Sequence, residues 1–154
     1  MLAVNLATGE EEYDLRTLQL HEAEHTTSDL VYKNALYDHA RTIFSGLIMV
    51  GEKAHYTDAF QTCRNLLGSN DAEANAMPGL EINADQVKCS HGSTSGQISD
   101  EEVFYLRARG IDPEEARRMI TFGFLNEVVG KISREGLRER LTEKLRRKFD
   151  SLAQ

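Results

Sequence analysis

The hydrophobic period of this chain changes once, near residue 98, and no single motif constrains the fold as strongly. Before that point, apolar residues alternate in short runs. Residues 13–21 place Tyr13, Leu15, Thr17 and Gln19 on one face and Leu18 and Leu20 on the other, because successive strand residues point to opposite sides. Runs at 30–36, 42–50, 57–67 and 79–89 read as further strands, rich in β-branched and aromatic residues such as Val31, Tyr32, Ile43, Phe44 and Val87. None is followed by the amphipathic helix that joins parallel strands in a βαβ fold. Asn34, Asn65, Asn70, Asn75 and Asn83 sit at turn-like places, where a left-handed backbone is tolerated. A β-solenoid of stacked parallel strands and an antiparallel sandwich both fit this pattern, and no strict repeat length separates them.

After residue 98 the signals are helical. Ser99-Asp100-Glu101-Glu102 is a capping box with Ser99 as N-cap and Glu102 as its reciprocal partner. That helix carries Val103, Phe104 and Leu106 and stops at Gly110. Asp112-Pro113-Glu114-Glu115 starts a second helix, with Pro113 at the first helical position. Its stripe is Ala116, Met119, Ile120, Gly123, Phe124 and Val128, ending near Gly130. Leu137, Leu141, Leu145 and Phe149 mark a third helix. These stripes read as core. Three short helices bury little alone, so part of the apolar face is left for a partner. The chain thus divides into a β part, 1–98, and a helical part, 99–154.

Composition excludes several classes. At 154 residues, 40% hydrophobic and 28% charged, the chain suits one domain, or one domain with a small appendage. Two cysteines make no disulfide framework. No basic start leads into an apolar segment, and no run of about 18 apolar residues occurs, so neither a secretory signal nor a membrane helix is expected. A reducing cytoplasm or plastid stroma is the default location. The net charge of −7 argues against nucleic-acid binding. From Lys131 onward, eight Lys and Arg face four Asp and Glu. Pairs such as Glu143 and Arg147 make that tail a solvated helix.

Three motifs bear on chemistry. His21-Glu22-Ala23-Glu24-His25 matches a zinc protease literally, but such a site needs both histidines on one helix face. In a strand they lie about 13 Å apart, too far to share one ion. Gly92 and Gly96 border a Ser/Thr-rich turn, a weak anion-binding nest with no lysine after it. No nucleophile elbow is present for a Ser–His–Asp hydrolase. Cys89-x-His91 remains. On a strand the two side chains share a face, roughly 6.5–7 Å apart, and can meet one borderline ligand such as iron. A lone strand cysteine is otherwise a small buried hydrophobe. Cys63 lies 26 residues before Cys89, so rungs of that size would stack the two thiols.

The run Cys89-Ser90-His91-Gly92-Ser93-Thr94-Ser95-Gly96-Gln97, followed by Glu102-Val103-Phe104-Tyr105-Leu106-Arg107-Ala108-Arg109-Gly110-Ile111, resembles the SufB/SufD family of iron–sulfur assembly scaffolds. The SufD branch is the nearer one. Upstream, His25-Thr26-Thr27-Ser28-Asp29, Arg64-Asn65-Leu66-Leu67, Asp71-Ala72-Glu73-Ala74-Asn75 and Pro78-Gly79-Leu80-Glu81-Ile82 carry the same resemblance, from about residue 10 onward.

The resemblance implies a mainly β fold: a right-handed parallel β-helix followed by a small helical carboxy-terminal segment. It implies a non-catalytic adaptor that works with a SufB-like subunit and a SufC-like ABC-type ATPase, and a homodimer in isolation. It aligns His91 with a histidine implicated in cluster assembly at the SufB–SufD interface, and Cys89 with the cysteine before it. No cofactor is expected to be bound stably. Iron or a forming cluster would be held transiently, with ligands shared with a partner chain. Tyr105, Leu106, Arg109, Ile111, Met119 and Phe122 fall in the region expected to dock the ATPase. Gly92 stands where SufB carries a Glu, which removes an oxygen ligand and favours SufD. Cys63 stands where SufD has another residue and is not counted as a ligand. Members of the family run to several hundred residues, so the first rungs and an amino-terminal helical domain are expected to be missing here. A truncated module for dimerisation or ATPase docking only is the alternative reading.

Overall fold

A computed structural model describes residues 1–151 of the protein. Alternation gives each strand two faces, and the chain buries one face of each by coiling. The strands are β1 (Leu2–Ala7), β2 (Glu12–His21), β3 (Thr27–Leu36), β4 (Arg41–Val50), β5 (Asp58–Leu67), β6 (Glu73–Ile82) and β7 (Lys88–Gln97). All pairings are parallel. One sheet has the order β1-β3-β5-β7 and the other β2-β4-β6. The chain passes alternately between the two sheets, and each circuit stacks on the last. This is a parallel β-solenoid, and it decides against the sandwich.

The inner face carries its own ruler. Asn5 Nδ2 donates to Asn34 Oδ1 at 2.8 Å, and Asn34 Nδ2 donates to Asn65 Oδ1 at 2.7 Å. Asn65 Nδ2 donates to Ser95 Oγ at 3.2 Å. The separations along the chain are 29, 31 and 30 residues, so a rung takes about 30. Asn34 and Asn65 are therefore ladder residues in mid-strand and not corner residues. Left-handed backbone at the corners falls instead on His25, Asp38, Tyr56 and Gln86. His25 stacks on Tyr56, one corner above it, with ring centroids 4.8 Å apart.

Two strand assignments change. Residues 79–89 are not one strand but the end of β6, a corner, and the start of β7. Residues 92–96, expected as a turn, lie within β7, where pairing with β5 overrides the poor strand propensity of Gly and Ser. β1 adds a strand to those read from the sequence.

The helices are α1 (Asp100–Arg107), α2 (Pro113–Gly130) and α3 (Glu135–Ser151). Ser99 Oγ accepts from Glu102 N–H, and Asp112 Oδ1 accepts from Glu114 N–H. Gly110, at φ +83°, follows α1 as expected. Their core side does not face inward on itself. Leu125 of α2 joins Leu145 and Phe149 of α3 against Leu6 and Ala35 on the outer face of the β1–β3 sheet. Two polar contacts fasten α2 there. Lys33, 2% exposed, reaches Glu127 at 2.5 Å, and the Tyr37 hydroxyl lies 2.6 Å from Thr121 Oγ1. Lys33 holds the Glu127 carboxyl below its ordinary range. The buried stripe of α2 is Ala116, Thr121, Leu125, Val128 and Val129, which leaves Met119 exposed. In α3 only Leu145 and Phe149 are buried, and Leu137 is exposed.

Candidate functional site

The inward columns that form the solenoid core open to solvent at the β6–β7 rung. On β5, Ala59, Gln61, Cys63 and Asn65 point inward and are buried. Their register partners on β7 are Cys89, His91, Ser93 and Ser95. With a period of two, Cys89 and His91 share that inward face. Across from them, Pro78, Leu80 and Ile82 of β6 continue the column of Gly46, Ile48 and Val50. Ile48 and Val50 are fully buried, whereas Leu80 and Ile82 are 37% and 40% exposed. Among the described residues, no further rung covers this face.

Cys89 is half-buried against Ile48, Val50, Ala54 and Ala59. Burial pushes its thiol up, a hydrogen bond with the Ala59 backbone opposes that, and the Asp58 carboxylate adds to it. The thiol is protonated at neutral pH and must lose that proton to bind a metal. His91 is exposed on the same strand face. Below it, Gln61 is 1% exposed and its Nε2 donates to Gly46 O at 3.3 Å. A Cβ at position 46 would lie 2.6 Å from Gln61 Oε1, so only glycine lets the amide lie there. Among the described residues, no three His, Cys, Asp or Glu side chains converge as a metal cluster. Cys89 and His91 thus offer two donors at an open mouth, a partial ligand set.

Cys63 is not stacked on Cys89. It pairs with Ser93, while Cys89 pairs with Ala59, because the rung is about 30 residues and not 26. Four strand positions separate them, about 13 Å along the strand. Cys63 is fully buried between Asn34 and Asn65, and burial pushes its thiol up to about 11.

The protease spacing is not realised. His21 ends β2 and faces inward, its Nδ1 2.7 Å from Thr26 Oγ1 and its Nε2 2.8 Å from Ser28 Oγ. His25 occupies the following corner.

The helical candidates do not form one surface. Tyr105 and Leu106 border a hollow of about 370 Å³ with Ile120, and Arg109 lies over the Tyr105 ring at 3.5 Å. Met119 and Phe122 border a separate hollow of about 180 Å³ beside Arg146. Phe122 is half-buried, edge-on to Phe149 at 5.8 Å, and Ile111 packs toward Val103 and Ala116. Phe104, 70% exposed, is the residue on α1 that reading the sequence as core misplaced. Gln61, Pro78, Leu80 and Ile82 were missed at the mouth. The asparagines spaced by about 30 residues were the signal that would have set their register.

The family model described as the SUF system FeS cluster assembly, SufBD core domain, matches residues 1–124. Similar proteins include the iron–sulfur cluster assembly protein SufD of Escherichia coli, 41% identical over 86% of this chain and 31% of its own length. A SufBD family protein of Synechocystis is 35% identical over 92% of this chain and 31% of its own. Protein ABCI7, chloroplastic, of Arabidopsis thaliana is 39% identical over 64% of this chain and 21% of its own. The chain spans about a third or less of the length of these three relatives.

Proposed function

The chain belongs to the SufBD core family of iron–sulfur cluster assembly proteins, and from that premise we propose that it acts as a SufD-like scaffold with no catalytic turnover of its own. The observation that carries this reading is the terminal rung. A core column ends there in a histidine and a cysteine on one strand face, beside half-exposed Leu80 and Ile82. A buried column ending in open apolar and ligating side chains suits a face completed by another chain. The proposed partner is a SufB-like subunit, or a second copy of this chain in its absence. The cargo is iron or a forming cluster, held transiently by His91 and, once its thiol is deprotonated, by Cys89. Imidazole and thiolate both suit iron, and the remaining ligands would come from the partner.

The helical part is proposed to dock a SufC-like ABC-type ATPase through the exposed aromatic end of α1, with Tyr105, Leu106 and Arg109, and through Met119 on α2. Because α2 is fastened to β3 by Lys33–Glu127, a movement of the helices would be felt in the solenoid. The reading places the protein in a cytoplasm or plastid stroma. No helix among the described residues is long and apolar enough to cross a membrane.

The test is cluster assembly in a complex reconstituted with SufB-like and SufC-like partners. His91→Ala is expected to lower cluster yield about 10-fold or more while leaving folding and complex formation intact. Unchanged yield in His91→Ala and Cys89→Ala, with ATPase docking still lost on deleting residues 99–154, favours the alternative of a docking module alone.

A further inference from the structure

The mouth holds one buried polar atom without a partner directly beneath the proposed ligand. Gln61 Oε1 is inaccessible to solvent and accepts no hydrogen bond, although the Nε2 of the same amide is bonded to Gly46 O. An unpaired buried acceptor costs about 1–3 kcal/mol, so a donor within reach is favoured. His91 is the in-register neighbour of Gln61 on the next strand, on the same inward face. The rung spacing permits side chains so placed to bond: two columns along, Asn34 on β3 and Asn65 on β5 meet at 2.7 Å, and Asn65 meets Ser95 on β7 at 3.2 Å. In the opposing column Pro78 and Leu80 have neither donor nor acceptor in their side chains, and the Thr17 hydroxyl on the rung before, also buried without a partner, makes no bond to the amide.

We propose that Gln61 is a positioning residue for His91: the imidazole turns inward, donates one ring N–H to Gln61 Oε1, and so presents its other nitrogen, unprotonated, at the mouth. A ring nitrogen that is a donor on one side is a bare lone pair on the other, which is the form a metal accepts. Gly46 is part of the same device, because any side chain there would displace the amide. The inference rests on the proposed role of His91 in holding iron, but its first readout does not.

That readout is the ¹⁵N shift pattern of His91 in the intact chain. With the solution held well above about pH 6.5 so that the ring is neutral, a single tautomer is expected in the parent, and a mixture of both in Gln61→Met, which keeps the side chain's length without the acceptor. Gln61→Glu keeps an acceptor oxygen but loses the donor to Gly46 O and adds a carboxylate, so it is expected to favour the doubly protonated ring and not to restore the single tautomer. In the reconstituted complex, Gln61→Met is expected to lower cluster yield about 10-fold, and Gln61→Glu is not expected to recover it. A tautomer mixture in the parent chain overturns the proposal, whatever the variants do. So does an unchanged tautomer together with unchanged yield in Gln61→Met. Normal yield in His91→Ala, with the single tautomer present in the parent, instead overturns the ligand role and leaves the hydrogen bond standing.

Discussion

The middle rung and the terminal rung are built from the same columns, yet one is core and the other is surface. Phe44 is fully buried on β4, and its register partner Ala76 on β6 is half-exposed. Ile48 is fully buried and Leu80 is not. Gln61 is buried and His91 is exposed. The difference is not one of residue type alone. It comes from position in the stack, because an inward face is covered only when another rung follows it. In a solenoid, the chemistry of a column becomes available where the column stops.

Substitutions along one column sharpen this contrast most. Phe44→Ala is expected to cost about 3–5 kcal/mol in urea unfolding, because it opens a cavity in a closed rung. Leu80→Ala is expected to cost about 1 kcal/mol in the isolated chain, since a third of the side chain is already in water. Equal costs would mean that the terminal rung is covered in solution.

The two thiols give the next largest effect. Burial raises the Cys63 pKa from 9.0 to about 11, so the folded state keeps a proton that the unfolded chain loses. Stability from this group is therefore complete below pH 9 and is lost as pH rises toward about 11, by about 3 kcal/mol in all. Urea midpoints measured across that window should fall less in Cys63→Ala than in the parent. Cys89 shifts in the same direction but is only half-buried. Native alkylation should label Cys89 first, and faster labelling of Cys63 would contradict the closed middle rung.

The asparagine ladder gives the smallest contrast. Asn65→Ala leaves the buried Asn34 amide without its acceptor and is expected to cost about 1.5 kcal/mol. Ser95→Ala, at the exposed end of the ladder, is expected to cost under about 0.5 kcal/mol. Thermal or urea unfolding of the two variants side by side is the measurement.

Much of this was legible in the residues. The runs at 13–21 and 42–50 read as strands and are β2 and β4; alternation put Tyr13, Leu15, Thr17 and Gln19 on one face, and the structure shows that face to be the inward one. The capping signals at Ser99 and Asp112 and the glycine at 110 set the helix starts and the first stop, because caps are local chemistry. β7 was harder. Its Gly, Ser and Thr residues carry no strand preference, and the ladder with β5 holds them extended. Asn34 and Asn65 misled for the same reason, since a turn residue and a ladder residue are identical in composition. Cys89 and His91 were visible as a pair on one face, but Gln61 was not visible as their neighbour. The pairing of Gln61 with His91 spans 30 residues, and the register must be known before the two can be placed together.

The sequence alone determined that a run of strands precedes three helices, the change from period two to helical period, the same-face pairing of Cys89 and His91, and the resemblance to the SufB/SufD family. Those are properties of neighbours along the chain. The tertiary structure decided which column each residue joins, that Cys63 and Cys89 do not stack, that α2 rests on the outside of the β1–β3 sheet, and that the cysteine and histidine lie at the open end of the core. These depend on register between strands about 30 residues apart, and register is set by the length of every corner between them.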